Sequence, residues 1–337
     1  PMINSRWKKI ILVVSIAAVA FGVRLWDLGS QELVGDEGAY AFRSALYLDY
    51  LGTNFQTQPI EWYADTELPS WTKLSFHDHP PLGFLIRHWF FNFFGTTPFI
   101  ARLPGVVLGV CSVLLVYGIL RRNPIASHAS ESQALWGALL AAASGAMIWS
   151  SRMVLLESFA IFFILAGLYA CIRFFENPRW WWVFGSALGF MFLTKYTTIV
   201  LLPALLIYAL IFHRQIFRDF RIYAALAVAL MLFSPVVAYN VNLYQARGHF
   251  DLQFSYLLHE ETPEWTGLIG KADAPFGEIG PRMLDLYGIG ELMLAIAGIL
   301  FSLVFLRRMN RKGVVFSTLY ALSCFTLFIA VGSADRF

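Results

Sequence analysis

Two adjacent carboxylates, Asp36 and Glu37, are the residues in this sequence best suited to chemistry. A carboxylate can act as a general base and take a proton from an acceptor hydroxyl. A solvated acidic loop is the competing reading. Further on, His77, Asp78 and His79 precede Pro80 and Pro81. Imidazole and carboxylate are metal-ligand types, so Glu37, His77 and His79 form an alternative divalent-metal set. Two prolines entering a helix explain the same stretch without a metal, and no metal is the expectation. Three cations, Arg102, Arg152 and Lys195, suit an anionic group. Arginine meets phosphate with a planar fork and lysine with a point charge. Snorkelling at a span end is the alternative. Glu157 is expected to pair with Arg152 or Arg102. Tyr40, Tyr196, Asn240 and His259 complete the polar candidates.

These residues are scattered over more than 200 positions, so the elements that carry them decide whether they meet. The 337 residues are 58% hydrophobic and only 14% charged, with a mean hydropathy of +0.61. A soluble domain carries about 25% charge. An all-α, polytopic transmembrane bundle follows. Runs of roughly 20 apolar residues are needed to cross a bilayer. Nine segments qualify: 10–26, 99–120, 134–149, 154–174, 180–193, 197–212, 222–239, 289–306 and 314–331, the third and fifth being short. Basic residues cluster in alternate short loops: Arg6, Lys8 and Lys9; Arg121 and Arg122; Arg173 and Arg179; Arg214, Arg218 and Arg221; Arg307, Arg308, Arg311 and Lys312. With nine spans they all fall on one side, which the positive-inside rule makes cytoplasmic. The long loops 27–98 and 240–287 then lie outside, with the polar candidates. Within the first loop, 80–95 and 38–51 read as amphipathic helices lying in the interface. The expectation is a multi-pass protein of the plasma or inner membrane, forming a single domain over 1–337. The net charge of +3 argues against a nucleic-acid partner, and the three cysteines sit in apolar runs without CxxC spacing.

The same residues, in order, resemble the GT-C superfamily of membrane glycosyltransferases, and most closely its protein O-mannosyltransferase and aminoarabinose transferase branch. The resemblance is carried by VRLWDLGSQELVGDEGAYAFRSALYL at 23–48, HDHPPLGFLI at 77–86, Ala101-Arg102-Leu103-Pro104, the Arg152 to Glu157 stretch, Leu193-Thr194-Lys195-Tyr196-Thr197, and Ser234-Pro235 to Asn240 followed by Gln253 and His259. It implies an inverting transfer, metal-dependent or metal-independent, of a sugar from a polyprenyl-phosphate donor to a protein, lipid or glycan acceptor. Asp36 would be the base and Glu37 its companion. Lys195, Arg102 and Arg152 would hold the donor phosphate, with His79 secondary. Family members usually carry Asp where Glu157 stands. They also usually carry further spans or a soluble outer domain, so this chain reads either as a minimal member or as a C-terminally truncated one. A transporter or flippase of a lipid-linked substrate is the rival reading. It calls for inverted repeats and polar residues at the bilayer midplane, whereas here the polar residues gather at one interface.

Overall fold

A computed structural model describes residues 5–45, 79–122, 131–258, 279–304 and 311–331. Every described element is helical. In chain order they are α1 (Ser5–Leu25), α2 (Asp36–Ser44), α3 (Leu82–Phe94), α4 (Pro98–Arg122), α5 (Glu131–Ala143), α6 (Gly145–Arg152), α7 (Glu157–Glu176), α8 (Trp181–Phe192), α9 (Leu201–Phe212), α10 (Phe220–Arg247), α11 (Leu252–Leu258), α12 (Ile279–Val304) and α13 (Arg311–Val331). Short 3-10 turns join α7 to α8, α8 to α9 and α9 to α10.

Helix covers most of each of the nine apolar segments among the described residues, and fewer than nine of these helices are by themselves long and apolar enough to span. Among the described residues three helices are long and apolar enough to cross a membrane: Pro98–Arg122, Glu157–Glu176 and Phe220–Val241. The pair α5 and α6 makes a fourth if taken as one span bent by 53°. For α8 and α9 the reason is length. The 12 residues of α8 or α9 reach only about 18 Å at 1.5 Å per residue, against a hydrocarbon core of about 30 Å. The run 154–174 also starts later than expected, because residues 153–156 leave the helix to serve the site below.

The bend between α5 and α6 has a charge on each side. Arg24, fully buried at the end of α1, donates to the Ala142 carbonyl at 3.1 Å. Glu291 of α12 accepts from the Ser144 hydroxyl at 3.1 Å and from the Gly145 amide. A cation at a helix C-terminus and a carboxylate at an N-terminus satisfy the groups a break leaves open.

Helices meet closely where side chains are small, as expected of packing in lipid. A Cβ on Gly185 of α8 would stand 2.3 Å from the Ala225 carbonyl of α10, and one on Gly105 of α4 would stand 2.8 Å from the Ser151 carbonyl of α6. The larger core is built by α7 to α10 around Phe174, Phe184, Leu188 and Tyr208. A second lies under α2 and α3, where Tyr40, Phe84, Phe91 and Leu156 pack together. The 80–95 segment forms α3, which buries Gly83, Phe84, Arg87 and Phe91 and exposes Trp89, Phe93 and Phe94, the sidedness of an interfacial helix. The 38–51 segment is helical in α2; its residues 46–51 lie outside the described ones.

Both ends of the bundle are marked. At one end Glu131 accepts the Tyr117 hydroxyl at 2.6 Å and pairs with Lys9 at 3.3 Å and Arg121 at 3.1 Å. Glu176 pairs with Arg122 and Arg173 there. Arg102 stands at the other end of α4, about 29 Å away at 1.5 Å per residue.

Candidate active site

The site is built from the first acidic pair outward. Gly35, in a left-handed conformation at φ 57°, turns the chain so that Asp36 and Glu37 form the first turn of α2, where a helix dipole favours negative charge. Asp36 is half-buried and Glu37 buried. Arg102 grips Glu37 with Nε to Oε1 at 3.0 Å and Nη2 to Oε2 at 2.9 Å. The Val154 amide donates to Oε1 at 2.8 Å. Arg102 also donates to the carbonyls of Leu28 at 2.9 Å, Gln31 at 3.0 Å and Glu32 at 3.2 Å. A guanidinium has five N–H groups, and these contacts use all five. Arg102 therefore folds the loop between α1 and α2 over Glu37. In this arrangement every N–H of Arg102 is engaged within the protein, and its phosphate role stays an expectation.

Glu157 opens α7 three residues after Val154. Its partner is Lys195, at 3.1 Å, and not Arg152 or Arg102. Lys195 is buried in extended backbone between α8 and the following 3-10 turn. The turn is closed by the Thr198 hydroxyl, which donates to the Lys195 carbonyl at 2.6 Å. The Leu82 amide donates to the Leu193 carbonyl at 2.9 Å, so the start of α3 is pinned to the same break. The second carboxylate oxygen of Glu157 is buried without a hydrogen-bond partner among the described residues. His79 lies within electrostatic reach of Glu157. His79 Nε2 is 2.7 Å from the Tyr40 hydroxyl. Tyr40 packs edge-on to Phe84, under the Arg43 guanidinium.

Arg87 belongs to this assembly although the sequence reading passed over it. It is fully buried and donates to the carbonyls of Ala101 at 3.0 Å and Leu155 at 3.3 Å. Its guanidinium lies 5.4 Å from the centre of the Phe159 ring. Burial lowers its pKa to about 10, against the opposing pull of Tyr40, Glu37 and Glu157. The signal that finds it is spacing: Phe84, Arg87 and Phe91 share one face of a 3.6-residue helix, so a lone cation there points inward.

Asp251 was also passed over. It is fully buried and accepts from Tyr196 Oη at 2.7 Å and Asn240 Nδ2 at 2.8 Å. Burial pushes its carboxyl up to about 6, while the Asn240 and Tyr196 hydrogen bonds and the Phe254 and Gln253 amides hold it down. Tyr196 and Asn240 thus meet each other through a residue outside the candidate set. Arg152 turns elsewhere. It donates to the Val23 carbonyl at 3.0 Å and lines a 470 Å³ groove with Gly22, Val23, Trp26 and Ile148. Among the described residues no other candidate lines that groove. His77 and His259 lie outside the described residues. Among those described, no three His, Cys, Asp or Glu side chains are grouped to hold a metal ion.

The structure thus brings Asp36, Glu37, Arg102, Glu157, Lys195, His79 and Tyr40 to one end of the bundle around residues 153–157. Residues 78–239, just under half of the chain, match the family model for dolichyl-phosphate-mannose-protein mannosyltransferase. No curated protein matches the sequence significantly. Among solved structures, ArnT from Cupriavidus metallidurans bound to undecaprenyl phosphate is 18% identical, with a TM-score of 0.63 over 99% of this chain and 57% of that one. Apo ArnT from the same organism is 18% identical, with a TM-score of 0.53 over 97% of this chain and 60% of that one. The S. cerevisiae protein O-mannosyltransferase Pmt1-Pmt2 complex bound to the sugar donor is 20% identical, with a TM-score of 0.46 over 74% of this chain and 34% of that one. The chain spans between about a third and three-fifths of the length of these structures. This chain is a multi-helical protein with the fold of the ArnT structures, and its residues 78–239 are similar to the dolichyl-phosphate-mannose-protein mannosyltransferase family.

Proposed function

We propose that this chain is a glycosyltransferase that moves a sugar from a polyprenyl-phosphate donor to an acceptor hydroxyl on the extracytoplasmic side of the membrane, with Asp36 as general base. One observation carries the reading. Residues 153–157 hold both halves of the reaction together: the Val154 amide fixes Glu37, next to Asp36, and Glu157 fixes Lys195. A base and a cation for a leaving phosphate are thereby set on one short stretch. The side of the membrane follows from the basic cluster of Lys9, Arg121 and Arg122 at the opposite end, under the positive-inside rule. The donor class is drawn from the ArnT structure with undecaprenyl phosphate.

In the reaction, the acceptor hydroxyl gives its proton to Asp36 as its oxygen attacks the anomeric carbon. The bond from that carbon to the phosphate oxygen breaks, and the configuration inverts. The polyprenyl phosphate leaves with its charge stabilised by Lys195, an ammonium in a buried setting where such an interaction is strong. Glu37 and Arg102 position Asp36 and do not meet the sugar. His79 and Tyr40 form a polar wall on the side of Glu157. The acceptor is a protein, lipid or glycan hydroxyl.

The test uses the full chain in lipid nanodiscs with a radiolabelled polyprenyl-phosphate sugar. Asp36→Asn is expected to lower turnover by about 100- to 10,000-fold, the range for a general base, while donor binding stays. Lys195→Met is expected to weaken donor binding. Unchanged turnover in Asp36→Asn overturns the assignment, and retained substrate movement across the bilayer in that variant favours a flippase.

A further inference from the structure

We propose that Asp251 is a positioning residue for the donor end of this site: it ties the second outer loop to Asn240 and Tyr196 and so holds the chain break that presents Lys195. The proposal rests on the reading that Lys195 meets the donor phosphate.

The simplest role for Asp251 is to cap α11. Its Oδ1 accepts from the amides of Gln253 and Phe254, both at 3.1 Å, as an N-cap aspartate does. That role needs only one oxygen, and serine fills it equally well. The other oxygen, Oδ2, points away from α11. It accepts from the Tyr196 hydroxyl at 2.7 Å and from Asn240 Nδ2 at 2.8 Å. Asn240 answers in return, its Oδ1 accepting the Asp251 amide at 2.9 Å. The two-way bond locks the start of α11 onto α10. The Tyr196 bond then carries the lock to the residue after Lys195.

This link matters because Lys195 has no helix to direct it. Its backbone is extended, with φ −158° and ψ 133°, so its direction depends on the residues either side. On the N-terminal side α8 is packed against α10 through Gly185. On the C-terminal side Tyr196 is held by its hydroxyl on Asp251 and by its ring, 4.7 Å from that of Phe254. Both restraints come from the 251–254 segment. All four hydrogen bonds recorded to the Asp251 carboxylate come from uncharged donors. A fully buried carboxylate supported in that way is costly and is not needed for capping alone.

The test measures binding of undecaprenyl phosphate to the full chain in nanodiscs, with thermal unfolding of each variant alongside. Asp251→Ser keeps the cap and loses the bridge. Tyr196→Phe keeps the carboxylate and the ring and loses one hydroxyl. Both are expected to weaken binding about tenfold. Combined with Lys195→Met, either change is expected to add less than twofold to the loss from Lys195→Met alone, because the bridge acts through that lysine. A purely structural role predicts additive losses. Asp251→Ser and Tyr196→Phe binding like the parent, or losing affinity additively with Lys195→Met, overturns the proposal. If Asp251→Ser does not fold, Tyr196→Phe decides alone. Undiminished binding by Lys195→Met instead removes the underlying donor-site reading, a result distinct from failure of the bridge.

Discussion

Replacing Glu37 with Gln is expected to cost stability on a scale that surface carboxylates do not. The Glu37 and Arg102 side chains are only 2% and 6% exposed. Glu37 accepts three hydrogen bonds, two from a guanidinium and one from the Val154 amide. An amide at this position has one acceptor oxygen and presents an NH2 group where an acceptor is required. It leaves the Arg102 charge buried and unbalanced. Removing one partner of a buried ion pair costs about 3–5 kcal/mol, a large part of the roughly 5–15 kcal/mol that stabilises a typical protein. Reversible unfolding in mixed micelles, with a denaturing detergent as the variable, measures this directly. The paired change Glu37→Leu with Arg102→Met removes both charges and is expected to recover part of the loss. A Glu37→Gln variant within about 1 kcal/mol of the parent would refute the reasoning, as would a double variant that loses the sum of its single changes.

Five other outcomes are expected. Asp36→Asn should lower turnover by about 100- to 10,000-fold yet unfold within about 1 kcal/mol of the parent, measured in the same micelles. Gly185→Ala should destabilise by roughly 1–3 kcal/mol, because its Cβ meets the backbone of Ala225. Gly22→Ala, where nothing lies within 4 Å, should be neutral or stabilising in the same assay. The folded-state pKa of Asp251 lies near 6, above its ordinary 3.8, so the folded protein binds that proton more tightly. Its contribution is full below pH 4 and is lost as pH rises through about 6, by up to about 3 kcal/mol at 1.36 kcal/mol per pKa unit; comparison of the change in unfolding between pH 4.5 and 7 with that of Asp251→Asn, which should lack this loss, checks the sign. Glu291→Gln should lower the melting temperature by several degrees, since it weakens the support of the Gly145 amide.

Much of the helical framework is legible in the chain, because lipid leaves few choices: apolar runs must satisfy their own backbone, and they appear as helices where the runs lie. What sequence alone does not convey is partnership. Glu37 and Arg102 stand 65 positions apart, and nothing local distinguishes an arginine that will grip a carboxylate from one that will grip a phosphate. Arg152 reads like Arg102 in the sequence, yet it turns to the Val23 carbonyl. The break at Ser144-Gly145 carried a turn signal, masked by the apolar residues on either side. Asp251 stands in the polar stretch 240–287. Its position directly ahead of LQFSYLL is an N-cap pattern, which shows where the helix starts but not that the free oxygen reaches Tyr196.

The bend between α5 and α6 has a consequence for how the chain can be divided. The matched family segment stops at residue 239, yet Glu291, which steadies the open amides of the bend, comes from α12 beyond it. From that bend, α6 runs directly into the Val154 and Glu157 stretch. The shared segment is therefore not self-sufficient. The bend that leads into its candidate site is braced by a side chain supplied from α12, so a piece cut before α12 keeps the matched residues without that brace.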